Sequence, residues 1–171
     1  MATQLSIRPE QPGDIGAIRA LTDAAFRNVE HSDQSEAAIV DGLREAGAMT
    51  LSLVAVGPED AILGHVVFSP VSIESGEAGW YGLGPVSVWP HCQRRGVGTA
   101  LIAEGLRRLE ERGASGCVLL GDPAFYARFG FASDPALTYR GLPVQYVQRL
   151  VMVPPAPMGE IAYHPAFEAA A

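Results

Sequence analysis

The chain contains no lysine, and its nineteen acidic residues outnumber its twelve arginines to give a net charge of −7. Charged residues make up only 18% of the 171 residues, below the roughly 25% of an average soluble domain. The missing lysine excludes a P-loop, which needs a lysine after its glycine-rich turn. The acidic balance argues against nucleic-acid binding, because that function usually requires a basic surface. We therefore expect no nucleic-acid partner.

Long apolar runs are missing as well. The longest uncharged run, residues 78–93, is broken by three glycines and two prolines. It is also shorter than the roughly 20 apolar residues that a membrane-spanning helix needs. The first residues do not show the basic and apolar regions of a secretion signal. We therefore expect a cytoplasmic protein with no membrane partner.

Cysteine is scarce, and the two cysteines present do not have the spacing of metal ligands. Cys92 and Cys117 lie 25 positions apart and form no Cys-x-x-Cys pair. They are interpreted as two reduced thiols, and no metal site is expected. About 48% of the residues are hydrophobic, enough for one sizeable core. The length predicts a single domain over residues 1–171.

The hydrophobic period changes along the chain and predicts the order of helices and strands. Residues 4–8 alternate as a short strand, and two amphipathic helices follow, with Asp14 and Ser35 as their predicted caps. The period then falls from 3.6 to 2, which predicts three successive strands with short turns. These strands cover residues 49–56, 61–73 and 80–89. Short turns between successive strands indicate an antiparallel meander.

A β-α-β crossover is predicted after the meander. A helix over residues 97–112 ends at Gly113, and a short apolar strand follows at residues 117–120. Strands joined by a helix at this spacing are parallel and buried. Asp122 is expected to cap a short helix. Residues 144–153 and 160–163 are expected as closing strands, so the predicted fold class is α/β, an α+β mixed sheet with helices on both faces.

The most informative segment is residues 86–99, which read Val-Ser-Val-Trp-Pro-His-Cys-Gln-Arg-Arg-Gly-Val-Gly-Thr. A strand ends there, a polar loop follows, and a helix begins between two glycines. Helix N-termini expose unpaired N–H groups, and glycines let a ligand approach the backbone. Arg94 and Arg95 add positive charge, so the segment predicts a pyrophosphate site. A dinucleotide-binding fold fits less well, because Leu101 stands at the third glycine position and a meander precedes the turn.

Residues 93–98, Gln-Arg-Arg-Gly-Val-Gly, resemble the Gln/Arg-x-x-Gly-x-Gly/Ala signature of the Gcn5-related N-acetyltransferase (GNAT) superfamily. Residues 64–71, 121–131 and 163–167 are similar to its YhbS-like branch. The resemblance covers nearly the whole chain. It implies a GNAT fold, in which acetyl-CoA lies between two parallel strands that splay apart.

The resemblance also implies roles for individual residues. Backbone groups of Val86 and Val88 would pair with the pantetheine amides, and a backbone N–H near Val86 or Ser87 would stabilise the oxyanion. Tyr126 would be the general acid, and its alternative role is a core aromatic. Arg94 and Arg95 could each instead be solvated surface charges. The implied cofactor-binding residues are Val86, Ser87, Val88, Gln93, Arg94, Arg95, Gly96, Val97, Gly98 and Thr99.

The general base is not assigned by the resemblance. Many family members carry a glutamate before the signature, whereas residues 82–85 here read Gly-Leu-Gly-Pro. The candidates for the acceptor side are Glu30, His31, Glu36 and His65. Solvated surface charge is the alternative for the two glutamates, and a sheet histidine is the alternative for His65. A base acting through water, or no base at all, also stays open.

The charge distribution differs between the two halves of the chain. Residues 1–80 carry twelve acids and four arginines, net −8, whereas residues 81–171 carry seven acids and eight arginines, net +1. The resemblance implies that residues 1–80 form mainly the acceptor side, residues 81–131 the acetyl-CoA-binding core and residues 132–167 the closing strands. The acidic half is expected to favour a cationic amine.

The expected function is transfer of the acetyl group of acetyl-CoA to a primary amine by direct attack in a ternary complex. The acceptor would be a small molecule, a peptide or a protein. The alternatives are a non-catalytic acyl-CoA-binding or regulatory module and a toxin-type aminoacyl-tRNA acetyltransferase. The resemblance also allows a homodimer, since related proteins often pair through their closing strands. The sequence leaves the acceptor and the acyl-chain preference open.

Overall fold

The computed structural model describes residues 4–30 and 32–169, so the candidate base His31 lies outside the described residues. The strands are β1 (Ser6–Pro9), β2 (Leu51–Val56), β3 (Ile62–Pro70), β4 (Ser72–Ile73), β5 (Trp80–Val88), β6 (Gly116–Leu120), β7 (Ala132–Ser133), β8 (Leu137–Thr138), β9 (Val147–Val151) and β10 (Gly159–Ala162). The helices are α1 (Ile15–Phe26), α2 (Glu36–Glu45), α3 (Val97–Glu111), α4 (Pro123–Tyr126) and α5 (Ala166–Ala169). No helix among these residues is long and apolar enough to cross a membrane.

A seven-stranded mixed sheet forms the centre of the fold, in the order β1-β2-β3-β5-β6-β9-β7. Strands β1, β2, β3 and β5 pair antiparallel, which confirms the predicted meander. Strand β5 pairs parallel with β6 through the crossover helix α3, and β9 pairs antiparallel with β6. The mixed sheet and the crossover are therefore both confirmed.

The two parallel strands of the crossover separate partway along their length. They pair only where Trp80, Tyr81 and Gly82 face residues 116–118. Beyond that point β5 continues to Val88 against β3, while β6 continues to Leu120 against β9. The splay therefore opens a gap in the sheet between β5 and β6.

Helices cover both faces of the sheet, because the strand residues alternate between two apolar layers. On one face, Leu101 and Ile102 of α3 pack in a core with Leu53 and Phe68. On the other face, α1 and α2 pack in a second core that contains Val54 of the same strand. Leu53 and Val54 are neighbours in sequence, so the period of two read from the sequence sets which helix each residue contacts.

The predicted strand over residues 61–73 is wrong in its second part. It breaks after Pro70, which cannot donate a ladder hydrogen bond, and β4 joins a separate small sheet in the order β4-β10-β8. Trp80 and its buried neighbours form a third core beside this small sheet. The predicted closing strand at residues 160–163 thus pairs outside the main sheet. The other predicted closing strand, over residues 144–153, begins later than expected, because residues 144–146 form a 3-10 turn before β9.

The predicted caps of the first two helices do not bond as expected. The Asp14 carboxylate accepts hydrogen bonds from the Arg8 guanidinium and from the Gln11 backbone N–H, each at 2.7 Å. The Ser35 hydroxyl donates to Asp33 at 2.5 Å instead of accepting from helix α2. By contrast, Asp122 does cap α4, because its carboxylate accepts from the Ala124 N–H at 2.9 Å.

Candidate active site

A cleft of about 580 Å³ lies where β5 and β6 separate. Its walls come from the end of α1, the exposed end of β5, the start of α3 and helix α4. The lining residues are Ala25, Phe26, Val29, Val86, Val88, Cys92, Gln93, Arg94, Gly96, Val97, Gly98, Thr99, Ile102, Phe125, Tyr126 and Arg128. Eight of the ten predicted cofactor-binding residues line this cleft, while Ser87 and Arg95 do not.

The turn into α3 presents a continuous row of unpaired backbone donors to the cleft. Among the described residues, the six N–H groups of residues 94–99 have no hydrogen-bond acceptor, and the first helical bond runs from Ala100 to the Gly96 carbonyl at 3.0 Å. Gly96 has a left-handed conformation with φ +84°. A Cβ at Gly98 would meet only Val88 Cγ2, at 3.8 Å, so nothing covers the donors there. Such a row of donors binds an anion.

The free edge of β5 also faces the cleft. The Trp89 N–H donates to the Leu63 carbonyl at 3.1 Å, and the register with β3 places Ser87 opposite His65. Hydrogen-bonded pairs alternate along an antiparallel ladder, so the backbone groups of Val86 and Val88 point away from β3. The Gln93 side chain donates to the Val88 carbonyl at 3.1 Å and ties the loop to the strand. The Val86 backbone is left free to pair with an extended ligand.

The cations near the cleft differ from those expected. The exposed side chain of Arg94 lines the cleft, whereas Arg95 is exposed outside it. Arg128 also lines the cleft and was missed by sequence reasoning. Its guanidinium lies 4.5 Å from the centre of the Phe125 ring and donates to the Phe125 carbonyl at 2.9 Å. The only sequence signal for Arg128 was its place two residues after Tyr126.

Tyr126 stands at the base of the cleft and lines a second cavity as well. Its ring packs edge-on against Phe125, with centres 4.8 Å apart, and against Phe131 at 6.1 Å. Gly121 makes room for it, since a Cβ there would lie 2.7 Å from the Tyr126 ring. Burial raises the pKa of the Tyr126 hydroxyl above its usual value. The hydroxyl is therefore protonated at neutral pH and able to donate a proton.

The second cavity, about 360 Å³, adjoins the cleft and shares Phe26, Val86 and Tyr126 with it. Residues from the beginning, middle and end of the chain contribute to it. Its lining residues are Phe26, Glu36, Ile39, Leu83, Gly84, Pro85, Val86, Leu120, Tyr126, Tyr139, Tyr163 and Phe167. We call this cavity the aromatic pocket. Sequence reasoning missed three of these residues, which follow Tyr126 in the chain: Tyr139, Tyr163 and Phe167. Tyr163 and Phe167 lie in the segment that resembles the YhbS-like branch, but that resemblance gave them no role in a site.

Glu36 is the acidic side chain that lines the aromatic pocket. It occupies the first position of α2 because the preceding loop turns there, with Gln34 donating to the Phe26 carbonyl at 2.6 Å. The Ser32 hydroxyl donates to Glu36 Oε1 at 2.5 Å. Glu36 Oε2 is buried and has no hydrogen-bond partner among the described residues. The predicted acceptor-side glutamate therefore has one oxygen that accepts no hydrogen bond from the described residues.

His65 and Glu30, the other described candidates for the acceptor side, line neither cavity. Glu30 is exposed, whereas His65 is buried in the sheet. The Nε2 atom of His65 lies 2.8 Å from the Ser52 hydroxyl, which donates to Glu10. Burial lowers the pKa of His65, so its imidazole is neutral at neutral pH. Within the part of the chain that the structure describes, no three acidic, histidine or cysteine side chains are grouped to hold a metal ion.

Ser87 and His65 lie opposite each other on the sheet face that α1 covers. The Ser87 hydroxyl and His65 Nδ1 are both buried without a hydrogen-bond partner among the described residues. The Ser87 side chain is thus directed away from the cleft, and only its backbone can serve a ligand there.

Comparison with known proteins places this architecture in a family. The acetyltransferase (GNAT) domain family matches residues 6–133. The uncharacterised N-acetyltransferase YhbS of Escherichia coli K12 is 41% identical over 125 residues, which are 73% of this chain and 72% of that protein.

Two crystal structures are similar over nearly the whole chain. A GNAT family acetyltransferase from Brucella melitensis, in complex with acetyl-CoA, is 51% identical with a TM-score of 0.85, covering 96% of this chain and 98% of that one. The YhbS protein of Escherichia coli, in complex with CoA, is 34% identical with a TM-score of 0.86, covering 98% of this chain and 94% of that one.

Proposed function

Because the chain belongs to the GNAT acetyltransferase family, we propose that it transfers the acetyl group of acetyl-CoA to a primary amine by direct attack. The observation that carries the proposal is the position of Tyr126, a protonated tyrosine that lines both the cleft and the aromatic pocket. The relatives from Brucella melitensis and Escherichia coli hold acetyl-CoA and CoA, which supports CoA as the ligand of the cleft.

The cleft suits each part of the CoA molecule. The six unpaired N–H groups of residues 94–99 match a pyrophosphate, and Arg94 and Arg128 supply opposite charge. The free backbone edge at Val86 can pair with the pantetheine amides as an added strand would. The N–H groups of residues 94–99 have no competing acceptor within the described chain, so binding a pyrophosphate there breaks no protein hydrogen bond.

The reaction needs a neutral amine, an oxyanion stabiliser and a proton for the leaving thiolate. The amine nitrogen attacks the thioester carbonyl carbon, and the carbonyl π electrons move to its oxygen. The backbone N–H at Val86 or Ser87 is our candidate donor to that oxygen. The nitrogen that has added then gives up one proton to solvent, and the electrons on the oxygen re-form the C=O bond. The C–S bond breaks at the same time, and the sulfur leaves with its electron pair and takes the proton of the Tyr126 hydroxyl. Solvent then restores that proton.

A Tyr126→Phe variant tests the proposal. We expect kcat to fall about 10-fold or more, because the general acid is lost while the ring packing is kept. The KM for acetyl-CoA should change little. The measurement is thiol release from acetyl-CoA with a panel of amines, compared with Tyr146→Phe, which alters an exposed tyrosine outside both cavities. Unchanged kcat under conditions where chemistry limits the rate would remove Tyr126 from the mechanism.

CoA binding without thiol release for any amine would instead support a non-catalytic acyl-CoA-binding module. Pairing of two chains through the closing strands also stays a proposal, which the molecular mass in solution tests.

A further inference from the structure

The described residues that line the aromatic pocket carry little charge. Among the residues that the structure describes, its lining includes one carboxylate, Glu36, and no arginine or histidine. The other contributors are apolar or aromatic, among them Phe26, Tyr139 and Phe167. The nearby cation Arg140 lies outside the lining, against the Tyr139 ring at 5.4 Å from its centre, and pairs with Glu168. A ligand in this pocket therefore meets one negative charge and a largely apolar wall.

The aromatic side chains form a connected wall rather than scattered contacts. The Tyr163 ring lies 5.3 Å from that of Tyr139 and 5.0 Å from that of Phe167. It packs against Gly82 of β5, where a Cβ would lie 2.6 Å from the Tyr163 ring. Burial raises the pKa of the Tyr163 hydroxyl, so Tyr163 carries no charge at neutral pH. Aromatic faces attract both apolar groups and organic cations.

Glu36 supplies the single charged contact at one side of this wall. Its Oε1 atom accepts from Ser32, which fixes the carboxylate, while Oε2 is buried and unpaired. A buried carboxylate oxygen without a donor is costly, and an ammonium group is the natural partner for it. The pocket reaches Tyr126, so an amine held by Glu36 lies in the cavity that borders the thioester site.

We propose that the aromatic pocket selects primary amines whose body is apolar and uncharged, such as arylalkylamines, and that Glu36 binds their ammonium group and accepts its proton. The inference rests on the proposed function and names its acceptor class. The ammonium loses one proton to Glu36 Oε2, which releases it to solvent before the next turnover. The neutral nitrogen then forms the bond to the acetyl carbon and loses a second proton to solvent as the amide forms. An amino acid would bring a carboxylate that no described residue of the lining pairs, and a diamine would bring a second ammonium without a partner among those residues.

The test compares acceptors that differ by a single charge. We expect kcat/KM for 2-phenylethylamine to exceed that for phenylalanine by about 10-fold or more, because the added carboxylate has no partner. Hexylamine should exceed 1,6-diaminohexane by a similar factor. Equal or better turnover of phenylalanine or of the diamine would overturn the acceptor class, while the proposed function would stand.

A Glu36→Gln variant tests the role of the carboxylate. It can still accept the hydrogen bond from Ser32 but carries no charge, and kcat/KM for 2-phenylethylamine should fall at least about 30-fold. Raising the pH should restore part of the rate, because more of the free amine is then neutral. The control is Glu45→Gln, which removes the same charge at the exposed end of the same helix. Loss of less than threefold in Glu36→Gln would overturn the role.

Binding of 2-phenylethylamine to the protein saturated with CoA separates the two proposals. Calorimetric binding that Glu36→Gln weakens, together with no acetyl transfer to any amine, would overturn the proposed function and support the pocket assignment. Absence of amine binding, together with turnover of other amines, would overturn the pocket assignment alone.

Discussion

The cleft and the aromatic pocket meet at Tyr126 but are built in different ways. The cleft presents backbone groups, chiefly the N–H donors of residues 94–99 and the open edge of β5. The aromatic pocket presents side chains that come from α1, α2, β5, β6 and the C-terminal segment. In the proposed function one continuous stretch would supply most of the CoA contacts, whereas the acceptor contacts would depend on the packing of distant segments.

This difference explains what each site can recognise. Backbone donors at a helix N-terminus fit any pyrophosphate of the right length, so the cleft suits a ligand common to a whole family. Side chains set the size, polarity and charge of the aromatic pocket, so in the proposed function a single substitution there would change the acceptor without disturbing the cleft. We therefore expect variants of the two sites to affect different kinetic constants.

The largest expected effect is that of Gly98→Val, which would cover the backbone donors of the cleft. We expect the Kd for CoA to rise at least about 30-fold, because the side chain occupies the space next to the unpaired N–H groups. Gly98 has a helical conformation and an open neighbourhood, so the free energy of unfolding should change by less than about 1 kcal/mol. The measurements are calorimetric CoA binding and denaturant unfolding.

Gly16→Val is the matched control, because Gly16, like Gly98, is the second residue of its helix. A Cβ at Gly16 would meet no atom within 4 Å. It should leave CoA binding unchanged. Normal CoA affinity in Gly98→Val would show that the cleft does not bind through these donors.

A smaller effect should separate the two arginines of the signature. Arg94→Ala should raise the Kd for CoA about 10-fold, because Arg94 lines the cleft and can pair with phosphate. Arg95→Ala should change the Kd less than about threefold, since an exposed charge outside the cleft is screened by salt. Calorimetric titrations at two salt concentrations measure both, and equal losses would place Arg95 in the site too.

The smallest effect on turnover is expected for a substitution of Glu10, which lines neither the cleft nor the aromatic pocket. Burial alone would raise the pKa of Glu10, but the nearby His65 and the hydrogen bonds that Arg44 and Ser52 donate lower it to about 2. Glu10→Gln should reduce the free energy of unfolding by about 2 kcal/mol at pH 7, because charged hydrogen bonds are lost. It should leave kcat/KM nearly unchanged, since Glu10 lines neither cavity.

The pH dependence follows from the direction of that pKa shift. A carboxylate whose pKa is lowered on folding from 4.5 to about 2 stabilises the protein above pH 4.5, and this contribution disappears as the pH falls toward 2. The stability difference between wild type and Glu10→Gln should shrink over that range, as urea unfolding at each pH would show. A large loss of kcat/KM at unchanged stability would instead place the Glu10–His65 contact in catalysis.

The sequence predicted the main sheet and its helices better than the short strands at the periphery of the fold. The meander, the crossover and the helices on both faces depend on local hydrophobic period, and the structure confirms them. The small sheet of β4, β8 and β10 was not predicted, because its short strands pair through long-range contacts and carry little periodicity. The break after Pro70 is the clearest case, since the sequence pattern continues there while the chain changes sheets.

For the candidate site, the same contrast between local and distant contacts decides what the sequence can predict. Residues 93–99 carry their chemistry in adjacent backbone groups, and Asp122 positions Tyr126 one helical turn later, so the sequence alone determined both features. The aromatic pocket required the tertiary structure, because Glu36, Tyr139 and Tyr163 become neighbours only through packing of separate segments. Backbone chemistry is encoded locally, whereas a pocket of side chains exists only after the chain has folded.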